Sequence, residues 1–521
     1  MLYPRGSTLG GSTAISALVT VYPHNSDWDH IAEVTGDSDW SPEPMRRRFQ
    51  RIEAWRGRDP DPNNPTRPGD ASLHGVDGWL KTTRAHPKLA GREPWFLDII
   101  NAIEAESRAS YGTPEDVVLP NDPNDWRFVS ERREGMSFIP VAVDAGRRNG
   151  ARERVLAALR KHPDRLEIRY HSLVSRVLFE GDRAVGVAYL DGEHLYMADP
   201  NNAKAHGPGE PQTAFTAREV ILAGGAFNTP QILKLSGIGP RQELEAHGIA
   251  ALLDRPGVGA NLQDRYEVGV VHRLKRAYPV FNGATLDVPG RGGIGDHLFQ
   301  EWSEQKDGPY STNGSLAGVV AKSSVAGTDP DLFVFALPVD FHGYYPGYAA
   351  ESAIKHDRLT ILVLKAHTEN RAGAVRLAST DPRDAPLIEF RYFEEGSDAE
   401  GRDLRGVIDE IGIARRIAAR LPELIEEETI PGAAADDTDK LNDFVRHEAW
   451  GHHASCTCAI GSSDDPMAVL DGDFRVRGVT GSRVVDASVF PRIPGFFIAS
   501  AVYMISERAS DVIIAHYRLN Q

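Results

Sequence analysis

Cysteine is nearly absent: the 521 residues contain two, Cys456 and Cys458, separated by one residue. Neither a disulfide framework nor a four-cysteine zinc site can be built from them, and a reducing, cytoplasmic setting fits that usage. Basic charge is in short supply, 58 Lys and Arg against 74 Asp and Glu, for a net charge of −16. Such a balance argues against nucleic acid as a partner and for a soluble protein. Long apolar runs are missing, since no stretch reaches the roughly 20 residues of a membrane span. The run Ala14-Ile-Ser-Ala-Leu-Val-Thr-Val21 follows Gly10-Gly11 and lacks the cleavage site of a secretion signal. No metal is expected, because His342, His356 and His367 lack ligand spacing. No Gly-x-Gly-x-x-Gly loop follows an N-terminal strand.

What is present reads as a mixed α/β chain long enough for at least two cores, since single cores stop growing at about 250 to 300 residues. Residues 56 to 72 and 113 to 127 are turn formers without hydrophobic period and are expected as surface loops or a lid. Residues 151 to 162 have helical spacing, stopped by Pro163. Leu166 to Tyr170, Ser172 to Glu180 and Ala184 to Leu190 alternate as a β-meander. Residues 218 to 223 read as a buried strand, Gly224-Gly225 as a tight turn, and Thr229-Pro230 as the N-cap and first turn of a helix closed by Gly237. A strand, a glycine turn and a helix N-terminus make either an anion site suited to a cofactor or an ordinary βα connection. Further on, 330 to 341 and 359 to 377 read as strands and 404 to 428 as one long amphipathic helix.

Toward the C-terminus stand Trp450-Gly-His-His-Ala-Ser-Cys-Thr-Cys-Ala-Ile-Gly461 and Arg483-Val-Val-Asp-Ala-Ser-Val-Phe-Pro491. Earlier come Arg5-Gly-Ser-Thr-Leu-Gly-Gly-Ser-Thr-Ala-Ile-Ser16, Gly225-Ala-Phe-Asn-Thr-Pro-Gln-Ile-Leu-Lys-Leu-Ser-Gly-Ile-Gly239 and Pro256-Gly-Val-Gly-Ala-Asn-Leu-Gln-Asp264, then Arg371-Ala-Gly-Ala-Val-Arg-Leu-Ala-Ser-Thr-Asp-Pro-Arg-Asp-Ala-Pro386. In this order the segments resemble the glucose-methanol-choline (GMC) oxidoreductases, and they span most of the chain. The resemblance implies a Rossmann-like FAD-binding domain assembled from residues 1–60, 130–265 and 445–521. Residues 61–129 and 266–444 would form an antiparallel-sheet substrate-binding domain and lid.

The resemblance also implies a reaction, the oxidation of an alcohol with oxygen or another electron acceptor as the second partner. His453 falls on the family's active-site base, and a histidine with an ordinary pKa of about 6.5 can take a hydroxyl proton at neutral pH while hydride leaves for flavin N5. His452 is the weaker candidate, since neighbouring side chains on an extended segment point opposite ways. Leu9, Gly10, Gly11, Ser12 and Ser16 resemble positions beside the flavin ring and pyrophosphate. Val174 resembles the adenine-edge position, Ala223 and Gly224 belong to the glycine turn, and Asp486 and Ala487 resemble positions beside the ribityl chain.

Three departures follow. The family's second active-site His or Asn has no counterpart in Gly495-Phe-Phe-Ile-Ala-Ser-Ala-Val-Tyr503, where Ser500 and Tyr503 are the only hydroxyls and Phe496 or Phe497 can fill the space. Such a loss is worth about 3 kcal/mol of barrier. Ile15 stands where some members carry a flavin-linking histidine, so non-covalent FAD is expected. The absent glycine loop leaves a parallel sheet short of a central strand, and a late-called start is the favoured explanation. A flavin-carrying lyase, or a catalytically dead homologue acting as a binding protein, stay open beside alcohol oxidation.

Overall fold

The computed structural model describes residues 2–57, 71–84, 87–112, 114, 121–285 and 295–518. The loop expected at 56 to 72 falls mostly outside these residues, as does much of that at 113 to 127.

The largest sheet has six strands, in spatial order Ile425–Ile430, Tyr266–Leu274, Arg358–Lys365, Leu332–Leu337, Gly318–Ala321 and Gly135–Ser137, every pair antiparallel. Strand alternation gives it two apolar faces. Val268, Val270, Val319, Val334 and Val363 point into a core closed by the helix Arg402–Ala419, which buries Leu404, Val407, Ile411, Ala414 and Ile417 at helical spacing. Val320, Phe333, Phe335, Leu362 and Leu364 point the other way and meet Trp450, Phe496 and Phe497. That second face looks onto the cleft. The helix also sends Glu410 under the sheet, where its carboxylate accepts from the backbone N–H of Phe333 and Leu364.

The second core gathers the N-terminal helices, the C-terminal helix Ile498–Arg518 and the segment around Cys456, Cys458 and Ile460. A three-stranded antiparallel sheet of Ser172–Glu180, Arg183–Asp191 and Glu210–Phe215 lies beside it. Among the described residues the parallel component consists of two three-residue pairings, Val220–Leu222 with Ser482–Val484 and Glu53–Trp55 with Leu80–Arg84, one two-residue pairing and two isolated bridges. Ile221, in the first of these, is 46% exposed.

Several elements differ from the sequence expectations. Leu166 to Tyr170 is irregular, and the meander's third strand comes later, at Glu210–Phe215. The long helix ends at Ala419, because Ile425–Ile430 instead alternates as an edge strand against Tyr266–Leu274. The helix expected from Thr229 begins at Gly225, so Pro230 lies inside it. A proline there removes the hydrogen bond to the carbonyl four residues earlier. The Ala226 carbonyl accepts instead from Thr457 Oγ1 at 2.7 Å. Finally, Gly135–Ser137 belongs to the large sheet although residue 130 onward was assigned to the cofactor side.

Candidate active site

One cavity of about 2740 Å³ lies between the two cores. It exceeds the roughly 300–1,000 Å³ of an ordinary small-ligand site, and has room for a dinucleotide-sized group together with a small substrate. Its walls bring together distant pieces of the chain: Gly10, Gly11, Ser12 and Ser16; Ala223 and Gly224; Asp486 and Ala487; and His452 and His453. Leu9 and Val174 do not line it, although Leu173 does. Ile15 does too, 53% exposed and without a nitrogen to bond a flavin.

The glycine turn is built for close approach. Gly10 has φ +91° and packs so tightly that a Cβ would stand 2.8 Å from the backbone nitrogen of Arg152, at the start of the helix Ala151–Lys161. Gly11, at φ +56°, has nothing within 4 Å of where a Cβ would be, so its backbone faces open space. Asp486 accepts from Gly225 N at 2.9 Å, Thr229 Oγ1 at 2.6 Å and Ser488 N at 2.7 Å. Its carboxylate thus pins the start of the helix Gly225–Leu235 to the cavity wall and keeps some acceptor capacity for a ligand hydroxyl.

The histidine pair sits on a segment running antiparallel to the start of the strand Tyr266–Leu274. Trp450 and Glu267 exchange backbone hydrogen bonds, and Ser455 bonds Gln263. Between these bridges residues 451–454 oppose residues 264–266, one residue more on the histidine side. The extra residue makes a bulge, which breaks strand alternation. His452 and His453 therefore do not point opposite ways: their rings lie 4.1 Å apart, and both Nδ1 atoms face Glu267 Oε1, at 3.5 and 3.6 Å. The backbone N–H of His453 donates to Asp264 Oδ1 at 2.8 Å, and Asp264 Oδ2 accepts from the Tyr3 hydroxyl at 2.5 Å.

Burial is the largest influence on all these groups. It pulls His452 down to about 3, assisted by Arg5 and Arg265, and pulls His453 well below its usual range, assisted by His452. It pushes the Glu267 carboxyl well up, with the Asp264 charge acting the same way. Both imidazoles are therefore neutral at physiological pH.

The residue the sequence left unresolved opposite the base is Phe497, whose ring stands 6.0 Å from that of His453. Ser500 is spent on the Val21 carbonyl, and Tyr503 sits against Trp79. Tyr344 lines the cavity, with its ring 5.2 Å from Trp450 and 5.5 Å from His452. Tyr348 lines it as well. Glu267 was missed because no motif marks it; only the bulge brings the histidines to it. His367, which lacks ligand spacing in sequence, joins His24 and Asp27 in a group with ligand-type atoms within 4.8 Å of one another, as Glu267, His452 and His453 do. Asp27 accepts from His367 Nε2, His24 N and Gly495 N, and lies 3.4 Å from Arg492.

No helix among the described residues is long and apolar enough to cross a membrane. Residues 1–267 match the N-terminal part, and residues 369–506 the C-terminal part, of the GMC oxidoreductases. The oxygen-dependent choline dehydrogenase of Yersinia pseudotuberculosis is 32% identical over 512 residues, 98% of this chain and 80% of that protein. That of Brucella anthropi is 30% identical over 518 residues, 99% and 82%. Among solved structures, formate oxidase of Aspergillus oryzae superposes with a TM-score of 0.79 at 22% identity, covering 99% of this chain and 85% of that one. Pyridoxine 4-oxidase from Mesorbium loti superposes with a TM-score of 0.74 at 23% identity, covering 99% and 85%. The chain belongs to the GMC oxidoreductase family and is an FAD-dependent flavoprotein.

Proposed function

We propose that this protein oxidises an alcohol to an aldehyde or ketone, with His453 accepting the hydroxyl proton. The observation that carries the reading is a neutral, buried imidazole, on a backbone whose N–H is held by Asp264, in the wall of a cavity that also presents Gly10 and Gly11. Gly10, Gly11, Ser12 and Ser16, with Ala223, Gly224, Asp486 and Ala487, would hold FAD. When bound, it supplies the two-electron sink for the hydride leaving the carbinol carbon. His453 takes the proton as the carbonyl forms, so that neither charge nor electrons are left on the substrate. Trp450, Tyr344 and Phe497 wall the substrate space and exclude water. Residues 1–60, 130–265 and 445–521 serve as the cofactor-binding unit, apart from the strand Gly135–Ser137. Residues 61–129 and 266–444 serve substrate binding. Oxygen or another acceptor reoxidises the enzyme.

Anaerobic mixing with a panel of alcohols, including choline, pyridoxine and aryl alcohols, tests the reading. At least one should bleach the flavin band, and His453→Ala should slow that bleaching about 10²- to 10⁴-fold. No bleaching across the panel, or an unchanged rate in the variant, overturns it. Phe497 in place of a polar partner for the substrate oxygen favours a second reading, a flavin-carrying lyase, which would cleave a hydroxynitrile without bleaching.

A further inference from the structure

Glu267 is used by nothing in the scheme above. It is 2% exposed and sits on the cleft face of its strand, since Val268 and Val270 point into the opposite core. Its Oε1 and the Nδ1 atoms of His452 and His453 are all buried, and none of the three has a hydrogen-bond partner. Leaving three converging polar atoms unsatisfied is costly, and each is within a small closure of the next. A carboxyl is acceptor only when ionised and donor when protonated, whereas a neutral imidazole must be donor at one nitrogen and acceptor at the other. One proton on Glu267 therefore dictates the arrangement of protons on its neighbours.

We propose, building on the alcohol-oxidation reading, that Glu267 is the positioning residue that sets the tautomer of His453 through its contact with Nδ1. Ionised Glu267 accepts from Nδ1–H, which leaves the Nε2 lone pair free to take the substrate proton. Protonated Glu267 donates to Nδ1, which puts the ring proton on Nε2 and removes the base. When the base acts, the proton from the substrate oxygen goes to Nε2, and the positive charge on the ring is balanced by the carboxylate at Nδ1. No uncompensated charge is then created in the buried site.

The groups facing Glu267 set the direction of its pH response. Arg265, just before the strand begins, is buried and favours the ionised form, while Asp264 opposes it. His452 and His453 face it from the bulge, Tyr344 lies in the loop beyond, and Arg5 reaches across to donate to the His452 carbonyl. Burial and Asp264 outweigh Arg265, so ionisation comes at higher pH than for an ordinary glutamate. Turnover should therefore rise with pH through the coupled titration of the three groups.

The test uses the flavin-loaded enzyme. Glu267→Gln should lose the rising limb of kcat against pH and fall about 10²-fold at the wild-type plateau. Glu267→Asp should keep a limb with a lower plateau. In [15N]histidine-labelled enzyme, with the signal assigned through His453→Gln, the wild-type resonance should pass from the Nε2–H to the Nδ1–H pattern as pH rises. Glu267→Gln should abolish that change. If the glutamine variant does not fold, the aspartate variant and the wild-type titration carry the test. An unchanged pH limb in Glu267→Gln, a wild-type tautomer that ignores pH, or a limb missing from Glu267→Asp overturns the proposal. Full turnover in His453→Ala would instead strike at the reading of function beneath it.

Discussion

Gly451 has no side chain, and the place where one would begin is occupied. A Cβ there would lie 2.5 Å from Asp264 Oδ2 and 2.6 Å from the Arg265 carbonyl. Because Asp264 also holds the backbone N–H of His453, a shift of its carboxylate moves the backbone that carries the imidazole. Gly451→Ala should lower kcat about 10²-fold, the scale set by roughly 1 Å of misplacement. Steady-state kinetics alongside the flavin absorbance of the variant would separate this from loss of cofactor. At this scale the sequence was partly legible. His453 and Asp486 lie in recognisable motifs, and Phe497 lies in the window where a polar residue was missing. Glu267 was not legible, because its importance comes from an extra residue in the opposing segment.

The helix Gly225–Leu235 shows the same limit for elements. From sequence, Thr229-Pro230 is a helix start; in the fold the helix begins one turn earlier, since Thr457 supplies the donor that Pro230 removes. No local pattern records a partner 231 residues away. Thr457→Val keeps the volume but leaves the Ala226 carbonyl unsatisfied in a buried place, since Thr457 is 0% exposed. The expected cost is about 1–3 kcal/mol, read as a lower denaturant midpoint with an unchanged slope. The strand Ile425–Ile430 was likewise absorbed into the preceding helix because its partner strand is distant in sequence. By contrast, the helix Ala151–Lys161 and the hairpin of Ser172–Glu180 with Arg183–Asp191 depend on local period and turn residues, and were read correctly.

For the molecule as a whole, pH acts through buried groups as much as through the net charge of −16. His74 stacks on Trp55 and reaches Glu53 at 2.9 Å and Asp122 at 3.5 Å. Burial pulls it down, but Glu53 and Asp122 together hold it up to about 10, above its ordinary 6.5. A folded pKa above the unfolded one means the stabilisation is complete below pH 6.5 and is lost as pH rises toward 10. The thermal midpoint should fall across that window. His74→Gln should lower the midpoint at pH 6 and flatten the fall, and a variant that parallels the parent at every pH would refute the assignment. The architecture at this scale was legible as two cores and an antiparallel sheet.

Asp27 joins three separated stretches, 24–27, 367 and 492–495: its carboxylate takes the backbone N–H groups of His24 and Gly495 and the ring of His367, with Arg492 alongside. Phe496 and Phe497 follow Gly495 directly, so the aromatic side of the reaction chamber is moored from behind by a residue that does not line the cavity. Selectivity in this enzyme can therefore drift through changes in its first long helix, and a search for altered substrate range confined to the chamber's lining would overlook that lever.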